Sequence, residues 1–357
     1  SSGNTATGYA GLPLDNNDSG STGVKLLSTD SYASSGSIKF KIGAKATDTQ
    51  VVGTYTGTVN FYAVTNPSPI TFDEAYAANG KTKTLGYYTL QDTNSTICSS
   101  VEQGQTTQVI DIRDNTVYHI GKLADNRCWM LDNLALDLLD TNILNSLSSA
   151  NTNIDQTNEA AILKSLKEGN RSAGNQYANG AIGNLTTGNS YSVARVNLDY
   201  KDTVPDNGPI NRQGNNKVGG YYNYCAASAG SYCYGNGTSY GTSSGNATSD
   251  ICSKGWRIPT GNTSGEYSAL ANTIYGSTGN TSDATAVANY RNALSLLLSG
   301  YFYSGSPYTQ GSYGRWWSST RYANGGMYYL HVDTDVIDPA TNYSRLYGLT
   351  IRCILGS

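Results

Sequence analysis

The chain has 357 residues, 38% hydrophobic and only 14% charged, with a formal net charge of −3. A near-neutral chain without a basic stripe argues against nucleic acid as a partner, and no apolar run approaches the roughly 18 residues a membrane span requires. Disorder goes with high net charge and few aromatics; 29 tyrosines therefore point to a folded, loop-rich, largely β protein.

The chain begins at Ser1 without a methionine or a signal peptide, which points to a processed product. Residues 1–35 are rich in Gly, Ser, Asn and Asp and carry little periodicity. Ile38, Phe40, Ile42, Ala44 and Ala46 then alternate with polar residues, the period-two pattern of a half-buried strand. A second strand is expected over 54–64, with Val59, Phe61 and Ala63 on one face, and Asn66-Pro67-Ser68-Pro69 ends the pattern. Residues 1–66 thus read as a β-rich, sandwich-like piece. A lone hairpin is marginal, so the missing strands come either from 1–35 or from another copy of the chain by strand exchange.

Residues 67–97 read as a linker with a short helix, Phe72–Asn79, stopped by Gly80, followed by Tyr87-Tyr88-Thr89-Leu90. Val109–Arg113 and Val117–Leu123 are expected to pair as strands around Asp114-Asn115. Leu131, Leu134, Leu138 and Leu139 fall at helical spacing, as do Ile162, Leu163 and Leu166 before Gly169. From about 169 to 250 the chain is Gly/Asn/Ser/Tyr-rich, long for a connection inside a compact domain. Two amphipathic helices follow. Tyr267, Leu270, Ala271 and Ile274 form one stripe, ended by Gly276. Val287, Tyr290, Leu294, Leu297 and Leu298 form another, opened by Asp283 and closed by Gly300.

Lys122-Leu123-Ala124-Asp125-Asn126-Arg127-Cys128-Trp129-Met130 with Asn133-Leu134 opens an ordered series of motifs. Next come Tyr221-Tyr222-Asn223-Tyr224 with Ala226-Ala227, then Gly255-Trp256-Arg257-Ile258-Pro259-Thr260 after Cys252. Gly300-Tyr301, Trp317-Ser318-Ser319-Thr320 and Arg352-Cys353 complete it. The series, over about 98–355, resembles the Fibrobacter major paralogous domain of secreted and surface bacterial proteins. The resemblance implies an α+β module of the C-type-lectin-like, formylglycine-generating-enzyme-like fold, with two helices and a loop-rich ligand face. On this reading, residues 98–357 form that domain, carrying the 169–250 stretch as an insertion. The family tends to show Tyr-Asn-Trp-Tyr where this chain has Tyr222-Asn223-Tyr224-Cys225, with Cys233 nearby.

Six cysteines in this setting read as three disulfides, although six allow 15 connectivities. The expected pairs are Cys252–Cys353, tying the first strand of the terminal module to its last, Cys98–Cys128, and Cys225–Cys233 as a staple of a surface loop. Zinc is excluded by the lack of CxxC spacing. Redox or formylglycine-type cysteine chemistry lacks any visible thiolate-activating neighbour. GxSxG spacing occurs at 237–241 and 241–245, but inside a Gly/Ser/Asn/Tyr-rich stretch and not at a strand-to-helix turn, so no nucleophile elbow is read. The Gly-rich tracts lack a strand–GxGxxG–helix frame for phosphate. No catalytic residue and no cofactor is expected, and the chain is read as a non-enzyme.

His331, Asp333 and Asp335 alternate, so that on one strand they would share a face and offer a weak metal site; the plainer reading is a solvated strand face. Calcium occurs among C-type-lectin-like domains, but no acidic calcium loop is seen. His119 reads as a packing or rim residue. The four tryptophans could form a sugar-stacking platform, but the resemblance implies structural, core positions for Trp129, Trp256 and Trp317 and leaves Trp316 as the one expected at the surface.

The strongest functional signal lies in 301–347. Tyr301, Tyr303, Tyr308, Tyr313, Tyr322, Tyr328, Tyr329, Tyr343 and Tyr347 stand among Ser, Gly and Asn, with Arg315, Trp316, Arg321 and Arg345. Tyrosine supplies amphipathic contact area at low entropic cost, and small polar residues supply adaptable hydrogen bonds. The plain alternative is that tyrosine replaces phenylalanine throughout the chain. The sequence therefore reads as an extracellular, disulfide-linked binding protein of a bacterial surface, engaging a protein or glycan. The alternative is a subunit of a filament or surface layer whose tyrosines are buried between copies; a third class, an enzyme of the formylglycine-generating type, would require a reactive cysteine pair.

Overall fold

The computed structural model of the protein describes residues 70–138, 140–160, 162–163, 193–195, 219–229, 245–303, 306–322, 326–345 and 347–356. The hairpin expected within 1–66, Leu139, Leu166, Cys233 and most of the 169–250 stretch lie outside them. The chain divides into two compact units, Ser1–Pro69 and Ile70–Ser357. The second unit is α+β, with short helices packed on two main sheets.

Residues 70–97, expected as a linker, are part of this unit's core. Helix α1 (Phe72–Ala78) starts where the Thr71 side chain accepts from the Glu74 N–H while the Glu74 carboxylate accepts from the Thr71 N–H, a reciprocal capping box. Gly80, at φ 67°, follows the turn that ends it. Phe72, Ala75 and Tyr76 are buried, and Tyr76 stacks on Tyr88 at 4.2 Å. Strand β1 (Tyr88–Thr89) pairs in parallel with β2 (Thr106–Ile110), which explains why this segment does not behave as a tether. Between them lies a helix the sequence pattern did not reveal, α2 (Ser95–Ser100), capped by Asn94.

Beyond β2 the chain turns at Asn115 (φ 57°) into β3 (Val117–Lys122), antiparallel to it, and then into β4 (Cys128–Met130). A six-stranded sheet is completed from the far end of the sequence, in the order β1-β2-β3-β4-β14-β8, with β8 at Trp256–Arg257 and β14 at Ile354–Leu355. Leu131–Leu138 is not the helix its leucine spacing suggests. Its amides are committed elsewhere: Met130 donates to the Cys353 carbonyl at 2.9 Å, Leu131 to His119 at 2.8 Å and Leu134 to Ile351 at 2.9 Å. Those donors cannot also close i→i−4 bonds. A six-residue helix, α3 (Thr141–Ser146), comes only afterwards, and Ile162 and Leu163 are helical as expected.

Part of the presumed insertion is core as well. Strand β6 (Gly220–Tyr222) pairs with β5 (Val193–Arg195), and Tyr221, Tyr222 and Tyr224 are fully buried, the last within the short helix α4 (Tyr224–Ala227). Each phenol has an acceptor, as buried tyrosines need: Tyr221 the Ser299 carbonyl, Tyr222 that of Leu136 and Tyr224 that of Ser319.

The two long helices sit where the stripes place them. Helix α5 (Glu266–Tyr275) ends at left-handed Gly276, and α6 (Ala284–Leu294) is capped by Asp283. The second helix stops six residues before Gly300, because Ser295 takes a left-handed conformation and Leu296 N–H caps the Arg291 carbonyl. Leu297 and Leu298 are buried outside the helix.

A second sheet runs in the order β13-β12-β11-β7, built from β7 (Gly245–Asn246), β11 (Tyr313–Arg321), β12 (Gly326–Asp333) and β13 (Ile337–Ser344). Beside it runs the hairpin of β9 (Tyr301–Tyr303) and β10 (Ser306–Tyr308). Both large sheets lie between two apolar clusters, and the period-two alternation of strands feeds one and then the other. On β4, Cys128 and Met130 enter the first cluster and Trp129 the second. On β11 the neighbours Trp317 and Trp316 divide in the same way. Trp316 is thus fully buried and donates from Nε1 to Asn133 Oδ1 at 2.7 Å, contrary to its expected surface position. Its indole also covers Gly314, where a Cβ would lie 2.1 Å from the ring.

Two expected disulfides are formed. Cys98–Cys128 ties α2 to β4, and Cys252–Cys353 ties the residues just ahead of β8 and β14. Cys225 is also disulfide-bonded; its expected partner Cys233 is outside the described residues. Three charged knots add to this frame. Arg113 and Asp111 form a fully buried pair, Arg352 donates to the Leu131 and Leu294 carbonyls and to Asn133, and Glu266 is gripped by Arg127 and Arg257. Burial works against the charge on Glu266, but the two guanidinium groups and the Thr260 N–H bring its pKa down to about 2. Among the described residues no helix is long and apolar enough to cross a membrane.

Candidate functional site

The tyrosines of the 301–347 region converge because three backbone contacts bring short segments together. On β9, Phe302 points inward against Tyr221, so Tyr301 and Tyr303 share the outer side. Pairing with β10 sets Tyr308 directly opposite Tyr301, and the rings stack at 5.7 Å with 15° between planes. A bridge from Phe302 to Gly348 carries Tyr347 against Tyr303, stacked at 4.6 Å. The bridge from Gly300 to Gly314 lays the start of β9 beside β11 and so brings Arg315 under Tyr301.

Arg315 is the centre of the cluster. Its guanidinium carbon lies 4.2 Å from the Tyr301 ring centroid, 5.5 Å from Tyr329, 5.6 Å from Tyr343 and 6.0 Å from Tyr313. These are cation–π distances, each contributing about 0.5–1 kcal/mol near a surface. Its Nε is buried without a hydrogen-bond acceptor. Among the described residues no carboxylate lies within ion-pairing distance of this guanidinium. Tyr343, at the end of β13, reaches back over Tyr347 at 4.6 Å, and the Tyr347 hydroxyl donates to that of Tyr343 at 3.3 Å. Burial and the Tyr343 hydroxyl push the Tyr347 phenol well above its ordinary pKa, so it remains a donor at neutral pH.

The face is open. Tyr308 and Tyr343 are 41% and 44% exposed, while Tyr301, Tyr303, Tyr313, Arg315 and Tyr347 are half-buried. Tyr322, 38% exposed, and half-buried Tyr328 form a separate pair, edge-to-face at 5.3 Å, near half-buried Arg321. Arg345 departs from expectation: it is buried, and its carbonyl accepts from the Tyr224 N–H, so it belongs to the frame. Trp316 drops out of the candidate site for the same reason. Tyr347, one of the expected tyrosines, packs against Tyr303 and Tyr343, and Arg315 turns from one of several expected contacts into the hub.

His331, directly opposite Arg315 on β12, packs on Tyr313 at 5.3 Å. Burial and the Arg315 charge lower its pKa, which keeps the ring neutral at pH 7. His331 Nε2 is 3.5 Å from Asp333 Oδ2. Asp335, however, is not on the strand. β12 ends at Asp333, whose carboxylate accepts the N–H groups of Asp335 and Val336 and folds the chain into a turn. Partial burial opposes its charge, but those N–H groups hold the Asp333 pKa below the usual range. The three expected ligands thus do not share a face, and among the described residues no cluster of His, Cys, Asp and Glu could hold a metal ion.

His119 also has a structural setting. Its Nδ1 is 2.8 Å from Asp132 Oδ2 and its Nε2 faces Gln108 at 3.0 Å. Comparison with family models, curated proteins and solved structures found no match.

Proposed function

We propose that this chain is an extracellular binding module, of the C-type-lectin-like kind its motifs resemble, carried on a bacterial surface or appendage. It engages a glycan or protein through the outer side of β9, β10 and the end of β13. The observation that carries this reading is the exposure of Tyr308 and Tyr343 at the rim of a stacked tyrosine cluster already ordered around Arg315. Rings held by one another lose little freedom on binding, and such preorganisation favours affinity. Disulfides between distant strands suit an oxidising compartment. They hold a frame on which a loop-rich face is carried.

The test is an array of neutral and acidic oligosaccharides probed with the full chain and with the Tyr303→Ser/Tyr308→Ser/Tyr343→Ser variant. Aromatic anchors at interfaces contribute on the order of 1–2 kcal/mol each. The variant is expected to lose at least tenfold in apparent affinity for whatever the native chain captures, while still unfolding cooperatively with only a modest fall in midpoint from the lost ring contacts. Capture that is indifferent to the substitutions would contradict the reading. A native chain that captures nothing, and sediments as large assemblies that the variant cannot form, would favour the filament subunit instead.

A further inference from the structure

We propose, building on the recognition surface above, that its ligand is a carboxylate-bearing saccharide, and that Arg315 is the residue that receives the carboxylate. The starting point is what Arg315 lacks. A guanidinium has five N–H donors in one plane, yet among the described residues its side chain has no carboxylate within ion-pairing distance, and Nε finds no acceptor. Tyr301 covers one flat side at 4.2 Å. Nε itself is shut off from solvent, so what remains for a ligand is the Nη1–Nη2 end of the fork, where a planar, two-oxygen acceptor fits best.

The neighbouring charges leave that edge available. His331, across the strand pair, is neutral at pH 7 and directs Nε2 to Asp333. Asp333 accepts the turn amides of Asp335 and Val336, and Asp338 accepts the Ala340 N–H at 3.0 Å. Arg345 is buried, and Arg321 lies at the other end of β11. The positive charge at the centre of the tyrosine cluster is therefore that of Arg315.

The surroundings favour a sugar over an acidic peptide. A peptide usually gains its affinity by adding to a free strand edge. Here β9, the strand that carries Tyr301 and Tyr303, is paired with β10 on one side and, through Phe302, with Gly348 on the other, so a peptide could add only along the outer side of β10, a three-residue strand. The surface instead offers two pairs of stacked rings, Tyr301 with Tyr308 and Tyr303 with Tyr347, and the hydroxyl groups of Tyr343 and Tyr347 at their margin. Flat aromatic faces take the C–H faces of sugar rings, and phenols reach their hydroxyls.

The experiment is calorimetric titration of the full chain with trigalacturonate and with 3′-sialyllactose, each against its uncharged counterpart, the trigalacturonate methyl ester and lactose. At least one acid is expected to bind ten- to a hundredfold more tightly than its counterpart, the range of one lost charge-assisted bidentate contact. Arg315→Gln is expected to abolish that difference, and Arg315→Lys to restore it only in part, since an ammonium keeps the charge without the fork. The ester comparison uses the native chain and stands even if the variants fail to fold. Equal binding of acid and neutral forms would overturn the carboxylate while leaving the recognition surface intact. Tighter binding of lactose 3′-sulfate than of either acid, or binding of a glutamate-rich peptide with no binding of the sugars, would also overturn the proposal. So would the absence of binding to every probe.

Discussion

Replacing Cys252 and Cys353 by serine is expected to produce the largest loss of stability of any change short of truncation. The bridge closes a loop of 101 residues, and in the chain-entropy account such a closure contributes about 4.7 kcal/mol by restricting the unfolded chain. The corresponding figure for Cys98–Cys128, with a separation of 30, is about 3.6 kcal/mol. The native side of the balance points the same way. Cys252 and Cys353 are fully buried in the cluster that also holds Trp256 and Ile351, and β8 and β14 meet through only two residues each. Two strands that short cannot hold their register alone. A fall in the midpoint on the order of 10 °C is therefore expected in thermal unfolding, with a smaller fall for Cys98→Ser/Cys128→Ser. Equal effects of the two double variants would contradict the loop-length argument.

The second large effect concerns Arg113 and Asp111, whose side chains are wholly inaccessible to solvent. Asp111 accepts Nε and Nη2 of Arg113, the Arg113 backbone N–H at 3.0 Å and Gln91 Nε2 at 2.7 Å. The remaining arm of Arg113 donates to the Ile251 carbonyl at 2.8 Å and toward the Cys252 carbonyl and Thr152. The pair thus joins the turn after β2 to the segment that leads into the long disulfide. Removing one member leaves the other as a buried, uncompensated charge, at a cost of about 3–5 kcal/mol. Arg113→Met is expected to reach that range in urea unfolding. The double variant Asp111→Leu/Arg113→Met should lose clearly less than the sum of the single changes, because it removes both charges together. Additive losses would mean that the two side chains do not act as a pair.

Legibility of the fold in the sequence followed the locality of the determining interactions. Asp283 and Gly276 mark helix ends through bonds to residues only a few positions away, which makes those ends legible. The leucines of 131–138 mislead because an irregular segment can bury leucines at the same spacing when its amides bond elsewhere, Leu131 to His119 and Leu134 to Ile351, more than 200 residues on. Trp316 was misplaced for a related reason. A strand with one wet face would expose one of two adjacent tryptophans, whereas β11 is covered on both sides. At Asp335 a local turn signal outweighs the strand alternation. In Asp333-Thr334-Asp335 the first carboxylate folds back on the following amides, the turn chemistry that competes with a strand.

For the candidate site, composition located the region and the tyrosines, but not its organisation. Arg315 reaches Tyr301 and Tyr343 across three different chain segments, and no spacing rule records such a meeting. Tyr221, Tyr222 and Tyr224, from an equally tyrosine-rich stretch, are buried with their hydroxyls satisfied. Enrichment in tyrosine is therefore shared by core and surface alike, and only burial separates the two.

That separation is also what makes the central claim measurable. Nitration of the full chain by tetranitromethane, mapped residue by residue by mass spectrometry over a range of protein concentrations, reports which phenols meet solvent. A free recognition surface predicts that Tyr308 and Tyr343 react as readily as Tyr322, the three most exposed tyrosines among the described residues, and that their reactivity does not change with concentration. Tyr308 and Tyr343 becoming protected as concentration rises, while Tyr322 stays reactive, would show that the cluster is covered by another copy of the chain and would contradict the account.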